Sequence, residues 1–424
     1  MILPRLCLSP KLRVHVAFVL TVVFCCGLTA CQRSDLVCHD PLGCIEIGKN
    51  DSVSLAALLA LSGDAAYLGE EALGGIEIAI AQQGGGLLDH PLELVTADSV
   101  CQANSAQAEV ESLTAVSPPI VGIVGPVCTA VAEAVMPLVS QSGLVMVSPA
   151  NTAVSLTTAP ADGGLWQPGY YRTSSPDTRQ AQVAAEFATQ MLHAGTAAVI
   201  FADTAQGQEL ANAFVRAFRQ SGGVVTFQGS ISTGATEAAD LLMGAMSGSP
   251  DVLYLPVMEP EGNLIANAIS RFTGFNSTSL LGGSTLFVPS FPLGVASSAV
   301  NNMYVTGTAV QGTEAAVLQA EWQDRFGTSP QGQIYGQAYD ATNLLLAAIR
   351  AVAQEGRNGA LLIGRQALRD ALDQTAVFPG ATGDLSCSPY GDCAAETAVG
   401  IYRLSTAEID GENWPPELVW TPGQ

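Results

Sequence analysis

Two short stretches of the chain carry small hydroxyl side chains at a spacing that could bind an anion. Residues 127–129 (VCT) follow one apolar run, and residues 148–152 (SPANT) follow the next. If a helix begins at each stretch, its first backbone N–H groups have no intrahelical acceptor and can hold a carboxylate or a phosphate. The alternative is that Thr129 and Thr152 only cap their helices. Two matching turns, one strand–helix–strand unit apart, favour anion binding over capping alone.

Both stretches belong to one strand–helix–strand unit. Residues 120–124 and 144–147 are apolar on both faces, which is typical of buried parallel strands. Between them, residues 130–139 carry apolar side chains at helical spacing, and Ser142 and Gly143 end that helix. Open α/β sheets bind ligands at the carboxyl ends of neighbouring parallel strands. The two turns are therefore expected side by side at that edge.

The letters VGPVCT and SPANT in this unit resemble the pattern of a known family. The branched-chain amino-acid-binding proteins of bacterial ABC transporters, which are type I periplasmic binding proteins, read roughly IG-x-x-C-S and then SP-x-A-T. Similar stretches continue in register as SGDAAYLGEEALGGIEIA, YYRTSSPDTRQAQ and GQIYGQAYDATNLLLAAI, so the resemblance spans residues 52 to about 404. It implies an α/β fold with two doubly wound parallel-sheet lobes, which a three-crossover hinge joins.

The alternation of strand and helix patterns agrees with parallel sheets. Residues 53–61 have the composition of a helix, but the family register makes them the first strand. Further strands are predicted at 92–95, 197–201, 224–227, 252–255, 303–306 and 399–404. Further helices are predicted at 70–83, 103–116, 180–192, 210–220, 237–246, 262–272, 314–326, 337–353 and 361–373. The family register assigns 52–174 and 305–376 to lobe 1, and 175–304 and 377–424 to lobe 2.

Residues 1–30 predict a signal peptide. Three basic residues precede an apolar run at 14–28 that is too short to span a bilayer. The run ends in LTAC, which resembles a bacterial lipobox, so Cys31 is predicted to be the lipidated N-terminus and residues 31–51 a tether. An ordinary secretory signal cut after Ala30 is the alternative. Lipidation predicts a protein in the periplasm or on the cell surface, held to a membrane only through Cys31.

The cysteines support export. After the signal peptide and Cys31, six of the ten cysteines remain, which suits disulfides in an oxidising compartment. Six cysteines allow fifteen pairings. Proximity along the chain suggests three pairs, of which the second matches a disulfide of the resembled family: Cys38 with Cys44, Cys101 with Cys128, and Cys387 with Cys393. No C-x-x-C motif occurs, so no metal site is predicted.

Charge and length narrow the choice of function. Without the signal peptide, 13 basic residues face 38 acidic ones, a net charge of −25. Such a surface repels nucleic acid and anionic lipid, so no nucleic-acid partner is predicted, and solubility explains the acidity better than an acidic recognition face. A mature chain of about 390 residues suits two lobes rather than one core.

The resemblance also implies which residues bind the ligand. In the family the two turns of the first lobe hold an α-carboxylate, and the matching residues are Thr129, Ala150, Asn151 and Thr152. Hydroxyl and amide donors suit an anion without needing a full positive charge. Candidates for lining the side-chain pocket are Tyr67, Leu68 and Val127. The matching positions on the second lobe are Gln206, Met258 and Ser284.

The second-lobe positions differ from the family where the ligand ammonium binds. Aromatic residues of the family fall at Gln206 and Met258, and the acid that pairs with the ammonium falls at Ser284. A bare ammonium in a closed cleft needs a counter-charge. Glu259 and Glu261 either substitute for that acid or form a solvated loop face. The predicted ligand is an amino acid held differently, or a carboxylate or amide without an ammonium.

The chain carries no motif that predicts an enzyme. G-x-S-x-G, P-loop and H-E-x-x-H patterns are absent from the sequence. Asp98, Asp177 and Asp203 follow predicted strands, but none has an evident base or metal partner. We therefore expect a monomeric solute-binding lipoprotein, without a cofactor, that delivers a small carboxylate-bearing molecule to an ABC permease in the inner membrane. The alternative is a ligand-sensing receptor or regulatory protein of the same fold.

Overall fold

The computed structural model describes residues 36–332, 334–406 and 414–423. The predicted signal peptide and Cys31 lie outside these residues. In chain order the strands are β1 Cys44–Ile47, β2 Val53–Leu59, β3 Gly86–Leu87, β4 His90–Asp98, β5 Ile120–Val124, β6 Met146–Ser148, β7 Tyr170–Arg172, β8 Thr196–Ala202, β9 Val224–Ile231, β10 Val252–Leu255, β11 Ser279–Gly282, β12 Tyr304–Thr308, β13 Gln354–Glu355, β14 Leu361–Gly364, β15 Phe378–Pro379, β16 Asp384–Leu385, β17 Val399–Arg403 and β18 Glu417–Trp420.

Helices alternate with the strands over most of the chain. In chain order they are α1 Ala66–Gln82, α2 Ala103–Ala115, α3 Thr129–Gln141, α4 Asp177–Gln190, α5 Ala205–Gln220, α6 Ala239–Met246, α7 Glu259–Ile269, α8 Ser290–Leu293, α9 Ser297–Val300, α10 Ala315–Phe326, α11 Ile334–Val352 and α12 Arg365–Asp373. Short 3₁₀ turns occupy Val154–Thr157, Pro160–Asp162, Thr273–Phe275 and Ser284–Leu286.

Two separate sheets form the centres of two lobes. The first has the order β3-β4-β2-β5-β6-β7, and the second has the order β18-β17-β12-β11-β10-β8-β9. Neighbours are parallel except at the edges, where β3 in the first sheet and β17 and β18 in the second run antiparallel. Helices cover both faces of each sheet, as the alternating pattern predicts. The predicted α/β fold with two mainly parallel sheets is confirmed.

In the strand β2, burial overrides the local helix propensity. Its sequence VSLAALL has a helical composition, yet all seven residues are buried between β4 and β5. A central strand of a parallel sheet is covered on both faces, so burial rather than intrinsic propensity decides its conformation. The local sequence pattern gives a wrong secondary structure at a second place as well. Residues 361–364 were predicted as the start of a helix, but they form β14, which pairs with β1.

The chain passes between the lobes three times. The first passage follows β7 into α4, and the second follows β12 into α10. In the third, Thr397 donates its hydroxyl to the carbonyl of Thr382 and the chain continues into β17. Thr382 and Ala381 are fixed on the first lobe, where they donate to the buried carboxylate of Asp340 on α11. Three adjacent passages of this kind make a hinge.

The division into lobes stays a prediction, with one correction in the tail. Residues 377–424 were assigned to lobe 2, but the Cys387–Cys393 turn packs on the first lobe. The backbone of Arg172 in β7 pairs with this turn, accepting from Cys393 N and donating to Gly391 O. Its buried guanidinium also forms an ion pair with Asp392 at 2.9 Å. The passage to lobe 2 therefore comes later than predicted.

The residues predicted as a tether are largely part of the first lobe. β1 pairs with β14 and buries Ile45 and Ile47 in the core of that lobe. Asp40 accepts the N–H groups of Gln366 and Ala367 at the start of α12, at 3.0 and 2.9 Å. These contacts satisfy donors that a helix start leaves without an intrahelical acceptor. Most of residues 36–51 therefore belong to the folded first lobe rather than to a tether.

Candidate ligand-binding cleft

The carboxyl ends of the strands of both sheets border one cleft of about 320 Å³. A volume in this range suits a small organic ligand. The first lobe lines it with Tyr67, Leu68, Val127, Thr129, Ala150, Thr152, Gly332, Ile334 and Gln337. The second lobe and the passages between the lobes add Ser174, Ser175, Gln180, Gln206, Met258, Ser284, Thr285, Phe287, Val288, Gly307, Thr308, Ala398 and Val399. Nine of the ten predicted ligand residues are among them, and Asn151 is not.

The first turn connects β5 to α3. Gly125 follows β5 directly and has a φ of 126°, and a Cβ there would lie 2.1 Å from the carbonyl oxygen of Leu58, so only glycine fits. Cys128 is the N-cap of α3, without a side-chain cap, and forms a disulfide with Cys101. Thr129 is the first helical residue and not a cap. Its hydroxyl and the first N–H groups of α3 can therefore donate into the cleft.

Ser148 joins the first turn to the second. Its hydroxyl donates to the carbonyl of Pro126 at 2.7 Å and accepts the N–H groups of Asn151 and Ala150, at 3.0 and 3.3 Å. Those two N–H groups are therefore already engaged inside the protein. Thr152 remains the candidate donor of this turn, although its hydroxyl also forms a hydrogen bond to Asp177. Ser148 thus holds both turns in place. The sequence pattern did not indicate this structural role.

Asn151 does not line the cleft and has structural contacts, so its ligand-binding role stays a prediction. It is buried, and its Oδ1 accepts from the hydroxyl of Tyr170 at 3.2 Å. Its carbonyl accepts from Ser174 Oγ at 2.6 Å. The helix expected after this turn does not form within residues 149–169, which contain only 3₁₀ turns. Thr152 is therefore not a helix cap.

The three predicted residues of the second lobe each follow a strand. Gln206 lies in the first turn of α5 after β8, Met258 is the N-cap of α7 after β10, and Ser284 follows β11. The strand β11 itself was missed in the sequence. Glu259 and Glu261 do not line the cleft. Glu261 is buried and accepts the N–H of Gly234 at 2.7 Å, so it is not part of a solvated loop face.

Asp177, the first residue of α4, contacts predicted ligand residues of both lobes. Nε2 of Gln206 donates to its two carboxylate oxygens at 3.3 and 3.1 Å. Thr152 contributes a side-chain hydrogen bond, and its carbonyl accepts the N–H of Asp177 at 2.9 Å. Burial raises the pKa of Asp177 to about 6, although the hydrogen bonds from Thr152 and Gln206 lower it. The sequence analysis named Asp177 as an acid that follows a predicted strand, but it did not indicate the partners of this side chain.

Two buried polar side chains of the cleft wall have an unpartnered atom. Ser175 is 3% exposed and Gln180 is 7% exposed, and both line the cleft. Ser175 Oγ and Gln180 Oε1 have no hydrogen-bond partner within the protein. A buried polar atom without a partner costs free energy. A polar group that hydrogen-bonds to these two atoms, at the start of α4, would therefore be stabilised in the cleft.

Apolar side chains from distant parts of the chain form the remaining wall. Phe287 follows β11, Ile334 begins α11 and Val399 begins β17. With Leu68 and Val127 they give the cleft an apolar surface next to the hydroxyl-bearing turns. Sequence reasoning missed the first three, because they lie far apart and belong to no recognisable motif. A ligand that fits this wall has an apolar part beside its polar group.

One further contact joins the lobes beside the hinge. The indole N–H of Trp414 in the second lobe donates to the carbonyl of Gln331, just before α11 of the first lobe. The Trp414 ring packs on Phe287, with ring centroids 5.2 Å apart. Trp414 therefore touches the cleft wall on one lobe and the backbone of the other.

With this geometry, comparison with known proteins gives the family. Residues 52–408 match the sequence profile of the family described as periplasmic binding protein. The chain belongs to this family. The predicted resemblance is thereby confirmed, and so are the disulfides Cys38–Cys44, Cys101–Cys128 and Cys387–Cys393, which the structure forms as expected.

Individual relatives of this periplasmic binding protein are distant. The Leu/Ile/Val-binding protein BraC3 of Rhizobium johnstonii is 27% identical over 236 residues, which cover 55% of this chain and 62% of that protein. The chain thus matches less than two thirds of its length. The ABC transporter substrate-binding protein from Sphaerobacter thermophilus has a TM-score of 0.74 at 20% identity, covering 88% of this chain and 98% of that one.

A second solved structure shows the same fold with a ligand. The solute-binding protein of an ABC transporter from R. palustris, in complex with benzoate, has a TM-score of 0.65 at 19% identity. The match covers 88% of this chain and 96% of that one. The family and these neighbours are solute-binding proteins rather than enzymes.

Within residues 36–332, 334–406 and 414–423, no group of three or more His, Cys, Asp or Glu side chains could hold a metal ion. Over the same ranges, no helix has both the length and the apolar character needed to cross a membrane.

Proposed function

We propose that this periplasmic binding protein is an extracytoplasmic lipoprotein that captures a small carboxylate-bearing solute for uptake by an ABC transporter. The observation that carries the proposal is the shared cleft. The hydroxyl-bearing turns of the first lobe and the matching positions of the second lobe line one volume of about 320 Å³. Closing of the two lobes about the three passages would bury a ligand there.

Neutral donors are proposed to hold the carboxylate. The lining residues include no Lys or Arg, so hydrogen bonds must supply the attraction. We propose the hydroxyl groups of Thr129 and Thr152 and the first N–H groups of α3 as these donors, with the Thr152 hydroxyl turning from Asp177 to the ligand. Hydrogen bonds to an ionised group are stronger than those between neutral groups. A dry cleft strengthens them further.

Asp177 is the counter-charge we propose for a ligand that carries an ammonium. It lies behind the cleft wall, in contact with Thr152 and Gln206, whereas Glu259 accepts from Ser290 Oγ and Glu261 from the N–H of Gly234. The amide of Gln206 donates to the carboxylate of Asp177. An ammonium could replace that amide, while a deaminated acid would leave the Gln206–Asp177 pair intact. The proposed ligand class therefore includes amino acids and the related acids without an ammonium, all of which carry the carboxylate.

The remaining parts of the proposal follow from the family and the sequence. The protein acts as a monomer in the periplasm or on the cell surface, with an ABC permease of the inner membrane as its partner. Lipid on Cys31 holds it to a membrane. It needs no cofactor and releases its solute unchanged, so no catalysis is involved. The Leu/Ile/Val-binding and benzoate-bound relatives support an apolar carboxylate as the solute.

A ligand panel tests the proposed function. Native mass spectrometry of freshly purified protein would show a retained solute. A thermal-shift panel would then compare leucine, 4-methylpentanoate, leucinamide and benzoate. We expect carboxylates to raise the melting temperature and leucinamide to have little effect. If no carboxylate shifts it while a protein partner does, the sensory alternative replaces transport.

Two variants locate the counter-charge. Asp177→Asn should weaken leucine binding but leave 4-methylpentanoate unaffected, because only leucine brings an ammonium. Ser284→Asp restores an acid at the family position and should favour leucine over 4-methylpentanoate. Tight leucine binding that survives Asp177→Asn would show that another group holds the ammonium.

The anchor has its own test. Mass spectrometry of the N-terminal peptide from membrane-extracted protein should show acyl groups on Cys31. Release of the wild-type protein into the soluble fraction would end the lipoprotein part of the proposal. It would not affect the solute-binding part, which depends on the ligand panel.

A further inference from the structure

The beginning of the described chain is fixed tightly to the first lobe. The Cys38–Cys44 disulfide closes a small loop, β1 pairs with β14, and Asp40 holds the start of α12. Only residues 32–35 separate Cys31 from the described chain. Five Cα-to-Cα steps from Cys31 to residue 36 span at most about 17 Å. An anchor on Cys31 would therefore hold this part of the protein close to the membrane.

This fixed end lies at the pole of the first lobe opposite the cleft. The helix α11 begins at Ile334, which lines the cleft, and ends at Val352. Val352 borders a small cavity together with Val37 and Cys44. Nineteen residues of α-helix extend about 28 Å. The cleft and the fixed end are therefore about one helix length apart.

The strand β2 gives the same direction. The turn after β1 leads into its amino end, whereas its carboxyl end leads to the cleft residues Tyr67 and Leu68 at the start of α1. We define the anchor pole as residues 37–43, 48–50 and 357–359. Lys49 and Gly359 are neighbours in it, since a Cβ on Gly359 would lie 3.5 Å from the Lys49 side chain.

We propose that the anchor pole is the surface that faces the lipid headgroups, with the cleft held about 28 Å above it and the second lobe outermost. The proposal rests on the lipidation of Cys31 in the proposed function. Val37 and Leu42 are apolar side chains of the pole that are 64% and 39% exposed. They suit the apolar boundary of a membrane better than open solvent.

The charged residues at and beside the anchor pole do not direct it toward a lipid surface. Lys49 and Arg357 are exposed at the pole, but Glu46, Asp51 and Glu355 are exposed beside it. The short tether rather than electrostatic attraction must therefore set the orientation. A permease that receives the solute would have to reach past the first lobe, or the molecule would have to tip over about its anchor.

The experiment compares the two ends of β2 in the full-length lipidated protein. Asn50→Cys places a thiol at the anchor pole, and Asp64→Cys places one beyond the carboxyl end of the strand. Both positions are exposed, and the strand between them is about 20 Å long. All six cysteines of the described residues are paired, so a maleimide dye would label the introduced thiol.

The readout is energy transfer from the dye to rhodamine-labelled phosphatidylethanolamine in phosphatidylcholine vesicles. We expect severalfold higher transfer efficiency from position 50 than from position 64. Equal transfer, or higher transfer from position 64, would overturn the proposed orientation.

A lengthened tether is the matched control. Inserting a Gly/Ser segment of about 20 residues between Gln32 and Arg33 adds a mean span of about 25 Å without touching the fold. The difference between the two positions should then shrink. An unchanged difference would show that the short tether is not its cause. An unmodified Cys31 would remove this orientation together with the anchor, while solute binding in the ligand panel would still stand.

Discussion

Thr129 and Thr152 are the residues on which binding of a carboxylate would depend most. Replacing either by valine keeps its size but removes the hydroxyl donor. Loss of a hydrogen bond to a charged oxygen costs about 1.5–3 kcal/mol, which lowers affinity roughly ten- to a hundredfold. Isothermal titration calorimetry with the best carboxylate of the panel measures this.

A matched substitution separates this effect from a general loss of stability. Thr189 lies on α4, where its hydroxyl donates to the carbonyl of Ala185 at 3.0 Å, and it does not line the cleft. Thr189→Val should bind the ligand like the wild type. Unchanged affinity in both Thr129→Val and Thr152→Val would contradict the proposed carboxylate site.

The buried carboxylate of Asp177 should make stability depend on pH. Burial raises its pKa from 3.8 to about 6, in spite of hydrogen bonds from Thr152 and Gln206. The folded protein therefore holds this proton more tightly than the unfolded chain does. The free energy of unfolding should fall as the pH rises from about 4 to about 6, and this contribution stays constant above that.

Asp177→Asn should reduce this decline, because the side chain no longer titrates. Urea denaturation of both proteins between pH 4 and pH 7 measures the difference. Some decline should remain in the variant, since burial also raises the pKa of Asp340 to about 6. Identical pH profiles in the two proteins would show that Asp177 ionises as easily when folded as when unfolded.

Among the elements, the β5–α3 turn depends on the Cys101–Cys128 disulfide. The bond joins two residues with a sequence separation of 27. In the chain-entropy model, closing a loop of this length contributes about 3.5 kcal/mol to stability. The Cys101→Ser/Cys128→Ser double variant should lose stability and bind ligand more weakly, since Thr129 follows Cys128 directly. Denaturation and calorimetry on the same samples measure both effects.

The Cys387–Cys393 disulfide provides the control for this element. It closes a loop of sequence separation 6 away from the cleft lining, and such a loop contributes about 2.4 kcal/mol in the same model. Cys387→Ser/Cys393→Ser should lower stability with little effect on affinity. If both double variants bind equally well, the Cys101–Cys128 bond stabilises the fold without positioning Thr129.

The elements also show how far the sequence could predict this structure. The first-lobe half of the cleft was predictable because both turns lie within one short unit with a recognisable pattern. Phe287 and Val399 were not predictable, since only the folding of distant segments brings them to the same wall. For β2 and β14, neighbouring strands override local propensity, which a single sequence does not reveal.

At the scale of the whole molecule, the acidic surface should make the fold sensitive to salt. The mature chain would carry a net charge of −25, and repulsion among like charges destabilises a compact state. Salt screens this repulsion, since the Debye length falls from about 30 Å at 0.01 M to about 10 Å at 0.1 M. We expect the melting temperature to rise over this range of sodium chloride, measured by thermal denaturation. A melting temperature independent of salt would show that the charges are already well spaced.

Because Trp414 touches both lobes, the protein contains its own optical probe of domain movement. The indole donates to Gln331 and packs on Phe287, so parting of the lobes would expose it to water and shift its fluorescence to longer wavelength. Stopped-flow fluorescence should then record the capture of a colourless solute as a blue shift, without any added dye. Trp414→Phe should abolish this signal while the other three tryptophans remain. A persisting signal would assign the movement to a different part of the molecule.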